Sequence, residues 1–96
     1  MKIHFHPEAT DEFEDAVNYY EEREPGLGLS FSREIQRGIE LISDYPDSWP
    51  FLSSSTRRFL VKQFPYGIIY SIYQDTIYIL AVMHLNRKPG YWEKRN

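Results

Sequence analysis

Cysteine is missing from all 96 residues. That excludes disulfides and thiolate metal sites and fits a reducing compartment, so a cytoplasmic location is expected. Long hydrophobic runs are missing as well. The longest apolar-rich stretch, Ile68 to Met83, is interrupted by Gln74 and Asp75. It is too short and too polar to span a bilayer, and no membrane association is expected. No basic-then-apolar leader opens the chain, so no secretory signal is expected either. Internal repeats and low-complexity segments do not occur. What is present is a chain 42% hydrophobic and 17% aromatic, the composition of a folded protein and not of a disordered one. One domain over residues 1–96 follows from the length, burying roughly 60–65% of its unfolded surface in a modest core.

Charge is unevenly spread. Residues 1–56 hold four Lys/Arg and twelve Asp/Glu, a balance of -8, and residues 57–96 hold seven Lys/Arg and two Asp/Glu, a balance of +5; together they give the chain's -3. Such asymmetry points to a polyanionic or acidic partner for the basic part, or to two halves that balance one another within one fold.

The first residues, "KIHFH", alternate polar and apolar side chains as a short half-buried strand does. Pro7 suits the first position of a helix, where a missing N–H costs nothing. Glu8, Asp11 and Glu12 then fall where the helix dipole favours negative charge. Ala9, Phe13, Ala16, Val17 and Tyr20 recur at steps of three and four and form one apolar stripe, with Glu12, Glu14, Asp15, Glu21 and Glu22 mostly off it. Pro25-Gly26 stops this helix near Glu24. Phe31, Ile35, Ile39 and Ile42 carry a second stripe, and Gly38 on it marks close packing. Tyr45-Pro46 ends the second helix. The break between the helices is so short that they must fold back as an antiparallel hairpin. After the loop "PDSWPFLSSST", three stretches rich in β-branched and aromatic residues, "RRFLVKQF", "GIIYSIY" and "TIYILAVMH", read as an antiparallel meander. The expected fold class is α+β, in the order β-α-α-β-β-β, with a helical hairpin on one face of a mainly antiparallel sheet.

The other face carries the candidate site. Strict alternation puts Arg58, Lys62 and Phe64 on the side away from the helices and Phe59 and Val61 in the core. The chain then closes with "HLNRKPGYWEKR", four cations and two aromatics in twelve residues. Folded back over the free face, this tail would gather a basic, aromatic patch; the candidate binding residues are Arg58, Lys62, Arg87, Tyr91, Trp92 and Arg95. Each also has a structural alternative: His84 as a strand cap, Tyr91 and Trp92 as packing lids, and Arg58 and Lys62 as edge charges that block aggregation. His4 and His6 sit two apart on one strand face, but no third ligand has fitting spacing, so no metal is expected.

"NYYEEREPGLGLSF", "RRFLVKQFPYGIIY" and "AVMHLNRKPGYWEKR" together resemble the RelE/ParE superfamily of bacterial type II toxins. The resemblance covers nearly the whole chain, and the spacing is more like the ParE-type, plasmid-stabilisation branch than like typical RelE proteins. It implies a toxin that a cognate antitoxin masks in a hetero-oligomer, with no cofactor. ParE-type members bind and poison DNA gyrase; RelE-type members cut mRNA on the ribosome without a metal. RNA cleavage requires a base, an acid and cations on the phosphorane. Arg87 could neutralise the scissile phosphate, with Arg58 or Lys62 assisting, and Tyr91 or His84 could exchange protons; Arg87 and Tyr91 resemble the arginine and C-terminal tyrosine of RelE-type enzymes. A protein that enters the ribosome is expected to be broadly basic, and the -8 of the helical part departs from that. Gyrase binding is therefore the first expectation, the ribosomal nuclease the alternative, and an inactive binding relative the third.

Overall fold

The computed structural model describes residues 1–95. Its elements run β1 (Lys2–Phe5), α1 (Pro7–Arg23), α2 (Leu27–Asp44), β2 (Arg57–Leu60), β3 (Tyr66–Tyr73) and β4 (Thr76–His84). The sheet order is β1-β4-β3-β2. The meander β2-β3-β4 is antiparallel, and β1 runs parallel to β4, with Lys2 opposite Thr76 and Phe5 opposite Ile79. A parallel neighbour requires a long crossover, and the helical hairpin with the meander provides it.

His6 caps α1: its Nδ1 accepts a hydrogen bond from the Glu8 N–H at 3.1 Å. His4, expected beside His6 on one strand face, instead lies edge-on to Tyr78, with ring centroids 5.5 Å apart. The turn into α2 depends on two glycines. Gly26 has φ +90°, a conformation that strains residues with a side chain. A Cβ on Gly28 would lie 2.7 Å from the Val17 carbonyl oxygen, so glycine allows the two helices to approach. Glu21 completes the turn by accepting the N–H groups of Gly26 and Gly28, which places a carboxylate on the N-terminus of α2.

Both stripes land where periodicity puts them. Ala9, Ala16, Phe31, Ile35 and Ile42 are buried in the main core with Phe59, Val61, Ile68, Tyr70, Ile77, Ile79 and Val82. The close packing expected at Gly38 is against the sheet: a Cβ there would stand within 3 Å of Phe59 and Ile68 side-chain atoms.

Alternation fails after Leu60. The expected strand through Phe64 ends four residues early, with Gln63 at φ +67°. Phe64, expected beside Arg58 on the free face, packs instead against Tyr20 and Phe31 in the main core. A second irregularity lies in β4. Ile69 pairs with Ala81 and Tyr70 with Ile79, so Leu80 is an extra residue in the ladder. This bulge shifts the phase of the strand. Ile77, Ile79 and Val82 face the helices, while Leu80, Ala81 and Met83 face the other way, into a second cluster with Ile69 and Trp92.

Candidate interaction site at the C-terminal tail

The site is built where β1 runs out. Beyond Ile79 the β1 side of β4 has no strand beside it, and unpaired backbone groups there would be left unsatisfied. Two side chains take the strand's place. Glu12 Oε1 accepts the Val82 N–H at 3.0 Å, and Arg95 Nη1 donates to the Leu80 carbonyl at 3.1 Å. The two are themselves paired, Arg95 Nη1 to Glu12 Oε1 at 3.0 Å. Arg87 Nη1 donates to Oε2 of the same carboxylate at 3.1 Å, and Glu8 stands 3.7 Å from Arg95 Nε. One carboxylate of α1 therefore binds a strand edge and two arginines of the tail.

The tail then crosses the face away from the helices. Trp92 is 2% exposed and packs with Ile69, Leu80, Ala81 and Met83. Tyr91 lies half-buried beneath two guanidinium groups, Arg87 at 3.5 Å and Arg95 at 4.9 Å from its ring centroid. Its hydroxyl is buried close to the Glu12 carboxylate but makes no hydrogen bond of good geometry with it. Burial first, and the neighbouring Glu12 charge second, push the Tyr91 phenol far above its ordinary range.

Of the residues expected to form one patch, the structure joins some and separates others. Arg87, Tyr91, Trp92 and Arg95 come together. Trp92 and Arg95 are interior, however, with Arg95 only 7% exposed. The expected accessible surface at these two positions is corrected accordingly: burial of the indole and pairing with Glu12 remove them from it. Arg87 keeps about half of its side chain exposed (52%). His84 lies on the helix face, edge-on to Tyr66 at 5.1 Å, and its Nδ1 accepts the Asn86 N–H, so it does cap the strand end. Arg58 occupies the expected outer face, with its stem along Gly67 beside Leu85. Lys62 is exposed. Neither Arg58 nor Lys62 has an ion-pair partner among the described residues.

Glu12 is the residue that sequence reasoning missed. It stands off the apolar stripe and reads as a first-turn acid on a solvated face, yet its side chain is only 14% exposed. The available signal was the opposite charge of the chain's two parts. Among the described residues no helix is long and apolar enough to cross a membrane.

A helical hairpin on one face of a short mixed sheet, with a basic tail strapped across the other, defines the class of small α+β toxins to which the motifs pointed. A family model for the ParE toxin of the type II toxin–antitoxin system parDE matches residues 3–89, and the chain belongs to that family. Among solved structures, the chain is similar to one described as the chromosomal ParDE toxin–antitoxin system from P. aeruginosa. The TM-score is 0.79 at 13% identity, over 90% of this chain and 97% of that one, a likeness of fold. A search of curated proteins finds no match.

Proposed function

We propose that this toxin arrests growth by binding and poisoning DNA gyrase in the cytoplasm, and that a cognate antitoxin neutralises it by forming a complex with it. Membership of the ParE family supports both parts of the reading. The observation that carries the choice of gyrase over mRNA is the state of Arg87 and Tyr91. A ribosomal nuclease needs a free cation for the scissile phosphate and a side chain that exchanges protons near neutral pH. Arg87 is tied to Glu12 and stacked on Tyr91. The Tyr91 hydroxyl is buried, and its ring is covered by two guanidinium groups. His84, the third member of the set, sits on the helix face against Tyr66. These groups hold the tail in place, and a binding toxin requires nothing more of them. Arg58, Lys62 and the exposed half of Arg87 remain as cations able to meet an acidic surface.

Induction in cells tests the reading. Gyrase poisoning leaves DNA breaks, an SOS response and filamentous cells, with translation initially intact. The purified protein added to gyrase and supercoiled DNA should trap cleaved complexes. Immediate arrest of translation, with mRNA cut within codons and no DNA damage, would overturn the proposal in favour of the nuclease. The antitoxin part is tested separately: co-purification with the product of an adjoining short gene, and a melting temperature that rises with its concentration.

A further inference from the structure

A groove on the tail face borders Trp92 and Leu80 of the site described above. It encloses about 680 Å³ and is lined by Ser53, Ser54, Ser55, Thr56, Ser71, Tyr73, Tyr78, Trp92 and Glu93, with Ile72 and Leu80 at its floor. Its chemistry is unusual for this part of the chain. Residues 57–96 are strongly basic, yet no cation lines the groove. One carboxylate, Glu93, does, and it has no ion-pair partner among the described residues. Tyr73, Tyr78 and the hydroxyls of Ser54, Ser55 and Ser71 complete the wall, while Trp92 is buried behind it and Ser53 and Thr56 bond to each other. Tyr73 is 63% exposed, an open ring at the rim.

Such a set suits a cation. A ring face attracts an ammonium or guanidinium group, a carboxylate adds direct attraction, and hydroxyl oxygens accept the remaining N–H groups. An anion would meet Glu93 with no compensating charge, and an apolar group would desolvate the hydroxyls of Ser54, Ser55 and Ser71. The same region already stacks guanidinium groups on rings within the chain: Arg57 lies 3.8 Å from the Phe51 ring centroid and Arg87 lies 3.5 Å from that of Tyr91. An adjoining hollow, sharing Ser54, Ser55, Ser71 and Ile72, is lined also by Asp47, Phe51 and Arg57, and there Arg57 already pairs with Asp47 at 3.7 Å.

We propose that this groove is a receptor for an arginine or lysine side chain presented by a protein partner, with Glu93 as counter-ion and Tyr73 and Tyr78 as the aromatic wall. The proposal stands apart from the gyrase reading, since it concerns a different surface and any partner protein can supply the side chain.

The test is an NMR titration of the intact protein with Nα-acetyl-arginine amide, compared with Nα-acetyl-citrulline amide, its neutral isostere. Binding on the order of millimolar is expected for a single side chain. Shifts should map to the amides of residues 53–56 and to the Trp92 indole N–H. Citrulline should bind roughly fivefold more weakly, as loss of a cation–π and charge contact predicts, and so should the arginine amide to Glu93→Gln. Glu93 is exposed, so that variant stays folded. Equal binding of the neutral probe, full binding by Glu93→Gln, shifts confined to the acidic face of α1, or no shift at about 20 mM would each overturn the proposal.

Discussion

The two faces of the sheet are closed by different means. On one, two helices lay down continuous apolar stripes, and the core beneath them is Phe31, Ile35, Ile42 and the inward residues of the meander. On the other, a tail without regular secondary structure places Trp92 over Leu80, Ala81 and Met83 and is fastened by charged groups. The first layer is held by area removed from water. The second is smaller, and each side keeps unpaired polar atoms, Tyr91 Oη and Trp92 Nε1 on the tail face and Trp49 Nε1 against the main core. Its fastening depends on a buried arginine and a nearly buried glutamate that reward one another only while paired. One face therefore resists perturbation by mass, the other by the integrity of a few hydrogen bonds.

The sharpest way to break the contrast is to damage each face at its largest buried ring. Phe31→Ala removes a fully buried ring that touches Phe13, Tyr20, Phe64 and Tyr66, and should cost about 4 kcal/mol with global loss of the fold's cooperativity margin. Trp92→Ala should cost somewhat less, about 3 kcal/mol. Its signature differs: hydrogen exchange should accelerate first in residues 87–95, whereas Phe31→Ala should raise exchange throughout. Identical exchange patterns in the two variants would dissolve the distinction between the faces.

Glu12→Gln probes the fastening alone. A neutral amide still reaches Val82 but no longer balances Arg95 or Arg87, and about 2 kcal/mol should be lost. The Val82 amide and the tail should lose protection together. Tyr70 sharpens the comparison from the helix side. Its hydroxyl donates to the Pro46 carbonyl at 2.7 Å, and burial pushes its phenol up to about 12. The folded state therefore favours the neutral phenol. The contribution is complete below pH ~10, where the unfolded tyrosine is also neutral, and is lost as pH rises towards 12. Tyr70→Phe should cost about 1 kcal/mol at neutral pH and flatten the alkaline decline measured by denaturant titration.

The smallest effect is expected at Tyr91→Phe. Removing a buried hydroxyl that bonds to nothing should leave stability unchanged or raise it by up to about 1 kcal/mol, and growth inhibition should persist. A clear loss of stability would mean that the hydroxyl bonds to Glu12 in solution; a loss of toxicity with stability intact would mean that the phenol takes part in the protein's action.

The helix face was legible in the sequence because its information is local. Ala9, Phe13, Ala16, Val17 and Tyr20 declare their shared side by spacing alone, and Phe31, Ile35, Ile39 and Ile42 do the same. The tail's composition was legible too, but not its destination. Arg95 and Glu12 are 83 residues apart, and no periodicity connects them. Phe64 shows a narrower failure: alternation assigns faces only while a strand lasts, and β2 ends at Leu60. The bulge at Leu80 hid in a run of apolar residues, where a shift in phase changes no letter of the pattern. The charge imbalance between the halves, open to a partner or to an internal balance, is met in part internally, since Glu8 and Glu12 of the acidic part hold Arg87 and Arg95 of the basic one.

A clasp between residues 83 positions apart has a consequence for how the fold comes into being. Synthesis proceeds from Met1, and the helical hairpin can form as soon as Asp44 has been made, because its contacts are local. β1 must wait for residues 76–79, and Glu12 for Arg95. A nascent chain still missing its end has α1 in place with Glu12 unpaired and the Val82 edge open on one side. Arg95 completes the fastening, so α1 and the open edge of β4 are joined only after Arg95 has been made.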